Sequence, residues 1–379
     1  MKRLLAFFLA ANLIALGFSL PAHAGGIAGT KCVSLGAKTI SKAKTYTCIK
    51  IGTRLYWTLG SKTISVKPTP TPTATRSTSP TPTLTPSAAP SASPTPSTII
   101  EKPVVDGLTI GNLLWADEFK GLFGSAIDST KWVARNCHRV PANGGGACFD
   151  GEDQFYAPSA IKLDGSASGV AVINTTRING SKPSDAGICL SVSCHFVSGR
   201  FDTQGKALFQ YGYIEARIKM PAGSGNHPAF WMLGNSINQV GWPLSGEMDI
   251  TEIHSNDPFV STAATHYSTS AIPNICCDNH FYTWAGLNMG VDLTLDYHSY
   301  AIAWLPNQVS YYVDGRKVST TTPVDLGGYW HFNDKFFLIL NNAVNTIFSG
   351  SSDNLQSSTM SIDWVRAYQL NGYGTVTTR

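Results

Sequence analysis

The first 100 residues of this chain contain no aspartate or glutamate, so all 24 acidic residues lie in residues 101–379. In that stretch, 17 basic residues against 24 acidic ones leave a net charge of −7. Nucleic acid is bound mainly through basic surfaces that neutralise phosphates. An acidic main body is a poor match for such a ligand, and we expect no nucleic-acid partner.

Other absences exclude whole classes of structure and chemistry. Helical periodicity of any length is missing, which argues against a helical or α/β fold. No H-E-x-x-H motif is present, so a catalytic metal is not expected. No two cysteines have the C-x-x-C spacing of a structural zinc site. Beyond the first 24 residues, no apolar run is long enough to cross a bilayer.

The N terminus has the features of a secretory signal peptide over residues 1–24. Two basic residues precede an apolar stretch, and Ala22-His23-Ala24 supplies the small residues of a cleavage site. A membrane anchor is the alternative, but it needs a longer apolar run. We therefore expect an exported protein, secreted or associated with the cell wall, with no membrane span once the signal is removed.

Residues 25–65 form a basic segment with seven lysines and arginines and no acid. Its two cysteines, Cys32 and Cys48, are expected to pair, because exported proteins commonly carry disulfides. The segment is therefore predicted to be a small disulfide-stapled β-module. Such a module could bind an anionic cell-wall polymer or an acidic polysaccharide, and a solvated basic face explains the charge equally well.

Residues 66–100 are a Thr/Ser/Pro-rich linker with nine prolines, a composition typical of a semi-rigid spacer. The rest, residues 101–379, is predicted to be one domain that works as a monomer. Six cysteines in it can pair in fifteen ways, and the sequence does not choose among them. They are Cys137, Cys148, Cys189, Cys194, Cys276 and Cys277.

The composition of residues 101–379 predicts an all-β fold. Short alternating runs rich in Tyr, Val, Ile, Thr and Trp are separated by Gly, Asn, Asp and Pro. The run 309–313, followed by Asp314-Gly315, is a strong signal for a β-hairpin. For a domain of this length, a two-sheet sandwich is the natural architecture.

The most informative segment places three carboxylates, Glu247, Asp249 and Glu252, within six residues of a strand-like run. Alternate side chains of a strand share a face, so Glu247 and Asp249 point the same way and Glu252 would point to the other side. One extra residue, a β-bulge at about Thr251, would return Glu252 to the shared face. An acidic strand facing solvent is the alternative interpretation.

The apolar residues support the bulge, because the one that follows Ile250 is Ile253, three positions on instead of two. With a bulge, the Cα atoms of Glu247 and Glu252 lie about 13 Å apart. Side chains that lean toward each other can then approach the separation of about 5–5.5 Å between carboxyl groups that a retaining glycosidase requires.

This segment resembles the active-site strand of glycoside hydrolase family 16, in the bulged form typical of its laminarinase-like (endo-β-1,3-glucanase) members. The resemblance covers about residues 110–370. Six further blocks of sequence appear along the chain in the same order as in the family, and together they make the resemblance specific. They are residues 114–119, 211–219, 228–234, 298–304, 311–315 and 362–368.

The resemblance implies a β-jelly roll whose concave sheet forms a sugar-binding cleft. It also implies Glu247 as nucleophile, Glu252 as general acid and base, and Asp249 as a hydrogen-bond partner of Glu247. Three crowded carboxyl groups are expected to retain one proton near neutral pH, and we expect it on Glu252. Their titrations are coupled, so no single pKa is assigned.

Several other residues are expected to bind substrate. Trp231 and Trp242 flank the acids and are candidate platforms for sugar stacking. His266 resembles the family histidine that supports the cleft near the acids, although taken alone it reads as a structural histidine. Arg217, on a strand that leads to the cleft in the family, is expected to line it, with a surface ion pair as the alternative.

The chain departs from the laminarinase pattern at two places. His227 stands where laminarinases usually have a tryptophan, immediately before Pro228-Ala229-Phe230-Trp231. Residues 341–348 replace the Gly-Gly pair and aromatic that often close the cleft. Both changes concern substrate subsites, so they weaken the assignment to β-1,3-glucan more than the assignment to glycosidases.

The resemblance also implies a structural calcium on the convex side, held by Glu118, a backbone carbonyl near Gly169, and Asp363. Oxygen ligands suit calcium. An ordinary hydrogen-bond cluster is the alternative. No cofactor is expected for catalysis.

The resulting expectation is a secreted retaining endo-glycosidase that acts on β-1,3-glucan or mixed β-1,3/1,4-glucan. A galactan hydrolase or a glucan transglycosylase on the same fold is the main alternative. A glycan-binding protein without activity is a third, but such proteins usually lack the catalytic glutamates, and this chain has both.

Overall fold

A computed structural model describes residues 33–34, 37–41, 44–51, 54–59, 102–105, 107–136, 152–179, 184, 194–273 and 279–379. The predicted signal peptide and linker lie outside these residues. The chain divides into two compact units, residues 1–95 and 96–379. Among the described residues, no helix has the length and apolarity needed to cross a membrane.

The first unit contains three strands, β1 (Lys38–Ser41), β2 (Lys44–Ile51) and β3 (Arg54–Leu59). They form an antiparallel sheet in the order β1-β2-β3. The predicted basic module therefore has a small β-sheet. The predicted pairing of Cys32 with Cys48 concerns side chains outside the described residues.

In its described residues the second unit consists mainly of β-strands, with two single-turn α-helices, α1 (Ile237–Val240) and α2 (Thr346–Ser349), and one 3-10 turn at Pro158–Ala160. Its strands, in chain order, are β4 (Ile110–Asp117), β5 (Val133–Ala134), β6 (Gln154–Tyr156), β7 (Ile161–Leu163), β8 (Ala171–Arg177), β9 (Phe196–Ser198), β10 (Arg200–Asp202), β11 (Ala207–Gln210), β12 (Gly212–Lys219), β13 (Asn226–Gly234), β14 (Glu247–Ile253), β15 (Val260–Ser268), β16 (His280–Asn288), β17 (His298–Leu305), β18 (Gln308–Val313), β19 (Arg316–Thr321), β20 (Phe336–Val344), β21 (Ser357–Leu370) and β22 (Thr375–Thr378).

These strands form two sheets. The front sheet has the order β16-β15-β14-β13-β20-β10-β5, and β11 pairs with both β20 and β22 at its side. The back sheet has the order β19-β18-β17-β12-β21-β8-β9-β6, with β4 on β21 and β7 on β8. The predicted two-sheet sandwich is confirmed.

One apolar core holds the two sheets together. Phe230 and Met248 from the front sheet meet Ile214, Ile302 and Trp304 from the back sheet, and none of the five has measurable exposure. Each such side chain contributes about 1.5–3 kcal/mol through burial. A core packed this way fixes the front strands, and with them the backbone positions from which the side chains of the outer face project.

The predicted hairpin joins β18 to β19. Its two central residues, Asp314 and Gly315, have φ of 47° and 72°, and Val313 pairs with Arg316. Positive φ at both central positions matches the twist of the flanking strands, which is why Asp-Gly is a strong hairpin signal.

The described residues include one cysteine of this domain, so they reveal little about the disulfide connectivity. Cys194 is disulfide-bonded, and its partner lies outside them. The pairing of the other cysteines of this domain stays a prediction.

Candidate active site

The three acids lie on β14, near one side of the front sheet, and a β-bulge sets their orientation. Against β13, Thr251 pairs with Phe230 and Asp249 pairs with Trp231, so Ile250 is an extra residue. The register with β15 shifts at the same place, between Asp249 and Glu252. The predicted bulge is confirmed, centred one residue before the predicted position.

The bulge sorts the side chains of β14 between the two faces. Met248, Ile250 and Ile253 are buried in the core between the sheets. Glu247 and Glu252 therefore both stand on the outer face of the front sheet, with Asp249 between them. Glu247 is 9% exposed and Asp249 3%, whereas the Glu252 side chain is 24% exposed.

Glu247 and Asp249 form a buried carboxyl pair with two ring neighbours. Trp242 Nε1 donates a hydrogen bond of 2.8 Å to Glu247 Oε2. His266 Nε2 lies 3.1 Å from Asp249 Oδ2, without the alignment of a hydrogen bond. One oxygen of each carboxyl group and one ring nitrogen of His266 lie within 4.8 Å of one another. The structure thus brings together four of the predicted site residues.

His266 is oriented by a second histidine. Its Nδ1 lies 2.7 Å from His280 Nε2, and the two rings stack with centroids 5.0 Å apart. Burial and the charge of His266 lower the pKa of His280 to about 4. His280 is therefore neutral near pH 7 and can accept a hydrogen bond from His266 Nδ1–H. This arrangement points Nε2 of His266 toward Asp249.

The buried pair binds protons strongly. Burial, with the charges of Asp249 and Glu252, raises the pKa of Glu247 to about 8, although His266 and the Trp242 hydrogen bond oppose the shift. Burial and the charge of Glu252 raise the pKa of Asp249 well above its usual value. At neutral pH the Glu247–Asp249 pair therefore holds a proton. Once Asp249 carries that proton, Glu247 can be the ionised partner.

Glu252 has the opposite environment. His227 Nε2 lies 2.8 Å from Glu252 Oε1. Burial raises the pKa of Glu252, but the hydrogen bond and charge of His227, together with the charges of His254 and His266, outweigh it and lower the pKa. The prediction that the retained proton resides on Glu252 is therefore wrong for the free site, because His227, His254 and His266 all stabilise its ionised form.

The two predicted stacking tryptophans differ in what they offer to a ligand. Trp242 is partly exposed beside Glu247. Trp231 is only 5% exposed, its Nε1 donates to Asn341 Oδ1 at 2.7 Å, and the Arg200 guanidinium lies 5.1 Å from its ring. It lies in the floor of the site and leaves little ring area for a sugar.

Arg217 does not line the site. It lies on β12 of the back sheet, where its Nη1 donates to Asp363 Oδ2 at 2.6 Å and its guanidinium lies 4.6 Å from the Tyr297 ring. The prediction that Arg217 binds substrate is therefore wrong, and the alternative of an ion pair is the one observed. Strand order explains the error, because β12 pairs with β17 and β21 of the back sheet.

The predicted calcium ligands are committed to other partners. Glu118 accepts two hydrogen bonds of 2.8 Å from Arg366, and Asp363 is paired with Arg217. Gly169 has a φ of 82°, and a side chain there would collide with the Glu118 carbonyl oxygen. A cation would have to displace an arginine from each carboxylate, so these donors do not fit calcium as they stand.

Sequence reasoning missed an aromatic row on β16. Tyr282 pairs with His266 across the strands, and Trp284 pairs with Ala264, which itself pairs with Asp249. Directly paired residues share a face, so both rings lie on the outer face of the front sheet. Tyr282 is 61% exposed and Trp284 54%. The alternation of His280, Tyr282 and Trp284 was a signal that could have revealed this row.

The family model for glycosyl hydrolases family 16 matches residues 169–366, which is more than half of the chain. The chain belongs to glycoside hydrolase family 16. The predicted family and its jelly-roll sandwich are thereby confirmed.

Known relatives share the same region. The glucan endo-1,3-beta-glucosidase A1 of Niallia circulans is 30% identical over 289 residues, 70% of this chain and 39% of the relative. The keratan-sulfate endo-1,4-beta-galactosidase of Sphingobacterium multivorum is 30% identical over 262 residues, 68% of this chain and 55% of the relative. The chain thus spans less than two thirds of either relative.

Solved structures agree with the fold. The laminarinase catalytic domain of Thermotoga maritima MSB8 superposes with a TM-score of 0.56 at 30% identity, over 69% of this chain and 99% of that domain.

Proposed function

We propose that this protein is a secreted, retaining endo-glycosidase that hydrolyses β-1,3-glucan or mixed-linkage β-1,3/1,4-glucan by double displacement. The observation that carries the proposal is the bulged strand β14, which puts Glu247 and Glu252 on one face with Asp249 between them. Two carboxyl groups on one face of a cleft are what a retaining glycosidase uses. The glucan endo-1,3-beta-glucosidase relative supports the choice of substrate.

In the first step, ionised Glu247 attacks the anomeric carbon while the bond to the leaving oxygen breaks. Glu252 transfers its proton to that oxygen, and a glycosyl ester forms on Glu247. In the second step, Glu252 takes a proton from water, the resulting nucleophile attacks the same carbon, and Glu247 leaves as a carboxylate. Trp242 donates a hydrogen bond to Glu247, and Asp249 shares a hydrogen bond with it when one of the two is protonated, so the nucleophile is positioned before substrate arrives.

The aromatic row on β16 supports binding within a polymer chain. Two strand spacings separate β14 from β16, so Trp284 lies about 10 Å from the acids. A glucan that crosses β14 could thus place a second sugar on Trp284 or Tyr282, which favours cleavage inside a chain.

Localisation and partners extend the same proposal. The predicted N-terminal signal peptide would direct export, and the basic module 25–65 would hold the enzyme to an anionic cell-wall polymer or acidic polysaccharide. The catalytic domain would act as a monomer, since the acids and the aromatic row all come from one chain.

The test is release of reducing ends from laminarin and lichenan by the full chain, beside Glu247→Gln. The first-formed product should have the β configuration by proton NMR, and the variant should be inactive while it keeps its fold. A folded wild-type protein that releases no sugar from either glucan, or that gives the α-anomer first, would overturn the proposal.

A galactan hydrolase or a transglycosylase is the second candidate. It is favoured by His227, which replaces the tryptophan that laminarinases usually show, and by the keratan-sulfate endo-1,4-beta-galactosidase relative. Assays on keratan sulfate and agarose would separate the substrates. Oligosaccharide products longer than the starting material would indicate transfer to sugar.

A further inference from the structure

His227 forms a hydrogen bond with the Glu252 side chain. Among the described residues, no other residue forms a hydrogen bond with that carboxyl group. It lies on β13, with Ala343 of β20 directly opposite, and its ring reaches sideways to β14. The residue is 8% exposed. Glu252 Oε2 is left without a hydrogen-bond partner among the described residues.

The buried nitrogen of His227 indicates which atom carries the hydrogen. Nδ1 is buried and has no hydrogen-bond partner in the described part of the chain. A buried N–H without an acceptor costs about 1–3 kcal/mol. In its neutral form the ring therefore prefers to carry its one hydrogen on Nε2, which donates to an ionised Glu252 Oε1, and a protonated ring donates from the same atom. The opposite arrangement, in which Glu252 donates to Nε2, would leave an N–H buried at Nδ1.

The rest of the pocket holds His227 in this position. Its ring centroid lies 5.5 Å from that of Phe348 in an edge-on contact and 5.3 Å from that of His254. Phe348 and His254 also stack on each other at 6.0 Å. These contacts limit rotation of the imidazole, so Nε2 stays directed at Glu252.

We propose that His227 is a positioning residue for the general acid: it fixes Glu252 Oε1, reserves Oε2 for the glycosidic oxygen and the water, and confines activity toward acidic pH. The inference rests on the proposed function, in which Glu252 is the acid and base. His227 acts through Glu252 and does not contact the reacting bond itself.

The pH dependence follows from every charged group around Glu252. On β14 and just past its end these are Glu247, Asp249 and His254, and on β15 it is His266, while β20 and α2 present Ala343 and Phe348, which do not titrate. The charge of Asp257 acts on His254. His227, His254 and His266 favour ionised Glu252, and Glu247 and Asp249 oppose it when they are ionised.

These groups determine the direction in which the pH profile of activity should move. Glu252 must carry a proton to protonate the leaving oxygen, so activity falls as pH rises through its pKa. His227 contributes to a lowered pKa of Glu252 by hydrogen bonding and by charge. Removal of His227 leaves burial less opposed, raises that pKa, and moves the alkaline limb of kcat to higher pH.

The experiment compares kcat against pH for the full-length wild type, His227→Gln and His227→Phe. Glutamine keeps a hydrogen-bond donor but has no charge, and phenylalanine keeps the ring shape but has neither. We expect the alkaline limb to move upward in the order wild type, Gln, Phe, and kcat at its optimum to fall more for Phe than for Gln. His298→Gln is the matched control, because His298 pairs with Asp314 at 2.6 Å on the back sheet.

A second readout needs no substrate. Carbon-13 NMR of protein labelled at the glutamate carboxyl carbons, with the Glu252 signal assigned from Glu252→Gln, follows its titration directly. We expect the Glu252 midpoint to rise in both His227 variants and to stay unchanged in His298→Gln. If the wild type turns over no glycan, the proposed function fails, and the NMR titration still decides the role of His227.

Two results would overturn the inference. If the alkaline limbs of the pH profiles and the NMR midpoints of Glu252 in all the variants coincide with those of the wild type, His227 only fills space. If the alkaline limb instead moves to lower pH in His227→Phe, the histidine supplies the catalytic proton, and the positioning role is wrong. Circular dichroism of each variant confirms that the fold is kept.

Discussion

The aromatic row on β16 allows a quantitative prediction about substrate binding. In Trp284→Ala a sugar loses the indole face on which it would stack. A tryptophan side chain buries at most about 250 Å², and 54% of Trp284 is exposed in the free protein. A sugar that covers half or more of that exposed area would bury about 60–100 Å² of ring.

At about 25 cal/mol per Å², this area corresponds to about 1.5–2.5 kcal/mol of binding free energy. That free energy is equivalent to a loss of about 10- to 70-fold in affinity. Titration calorimetry of a laminari-oligosaccharide with Glu247→Gln, which binds without turnover, measures it directly. The variant Glu247→Gln/Trp284→Ala should weaken binding by that factor, with a matching rise in KM for active Trp284→Ala.

Phe281→Ala is the matched control for this prediction. Phe281 is on the same strand and 49% exposed, but it faces the other side, where its ring lies near Tyr267. Its truncation should leave affinity unchanged. Equal losses for Trp284→Ala and Phe281→Ala, or none for Trp284→Ala, would refute the assignment of the outer face of β16 to substrate.

Three further perturbations test other parts of the account. Asp249→Asn removes a negative charge that raises the pKa of Glu247, so Glu247 should ionise at lower pH and the acid limb of kcat/KM should move down; an unmoved limb would contradict the charge coupling. Met248→Ala opens a cavity in the core between the sheets and should lower the free energy of unfolding in urea by about 2–5 kcal/mol, whereas a loss below about 1 kcal/mol would mean that β14 is not packed as described. Because Glu118 and Asp363 are already paired with arginines, EDTA followed by calcium should leave Tm unchanged, and a rise in Tm with calcium would restore the predicted metal site.

The bulge in β14 was predictable because apolar and acidic residues change phase together. Ile253 comes three residues after Ile250, and Glu252 comes three after Asp249, so both faces of the strand slip at one place. The Asp314-Gly315 hairpin was predictable for a local reason as well, since its backbone conformation is set by two adjacent residues.

Other features depend on strand order, which local patterns do not encode. Arg217 was assigned to the substrate cleft, but the neighbours of β12 place it in the back sheet. The contact of His227 with Glu252 joins residues 25 positions apart, and it requires both the pairing of β13 with β14 and the bulge that turns Glu252 outward. That contact contributes to the lowered pKa of Glu252, so local sequence patterns alone could not show that the retained proton lies elsewhere.

The central claim is that Glu247 forms a covalent glycosyl intermediate, and active-site labelling tests it most directly. Full-length protein treated with a 2-deoxy-2-fluoro β-laminaribioside that bears a good leaving group should gain the mass of one fluorinated disaccharide. After proteolysis, tandem mass spectrometry should place that mass on Glu247, and Glu247→Gln should remain unlabelled. Labelling of another residue, or turnover of glucan without any labelled species, would contradict the account.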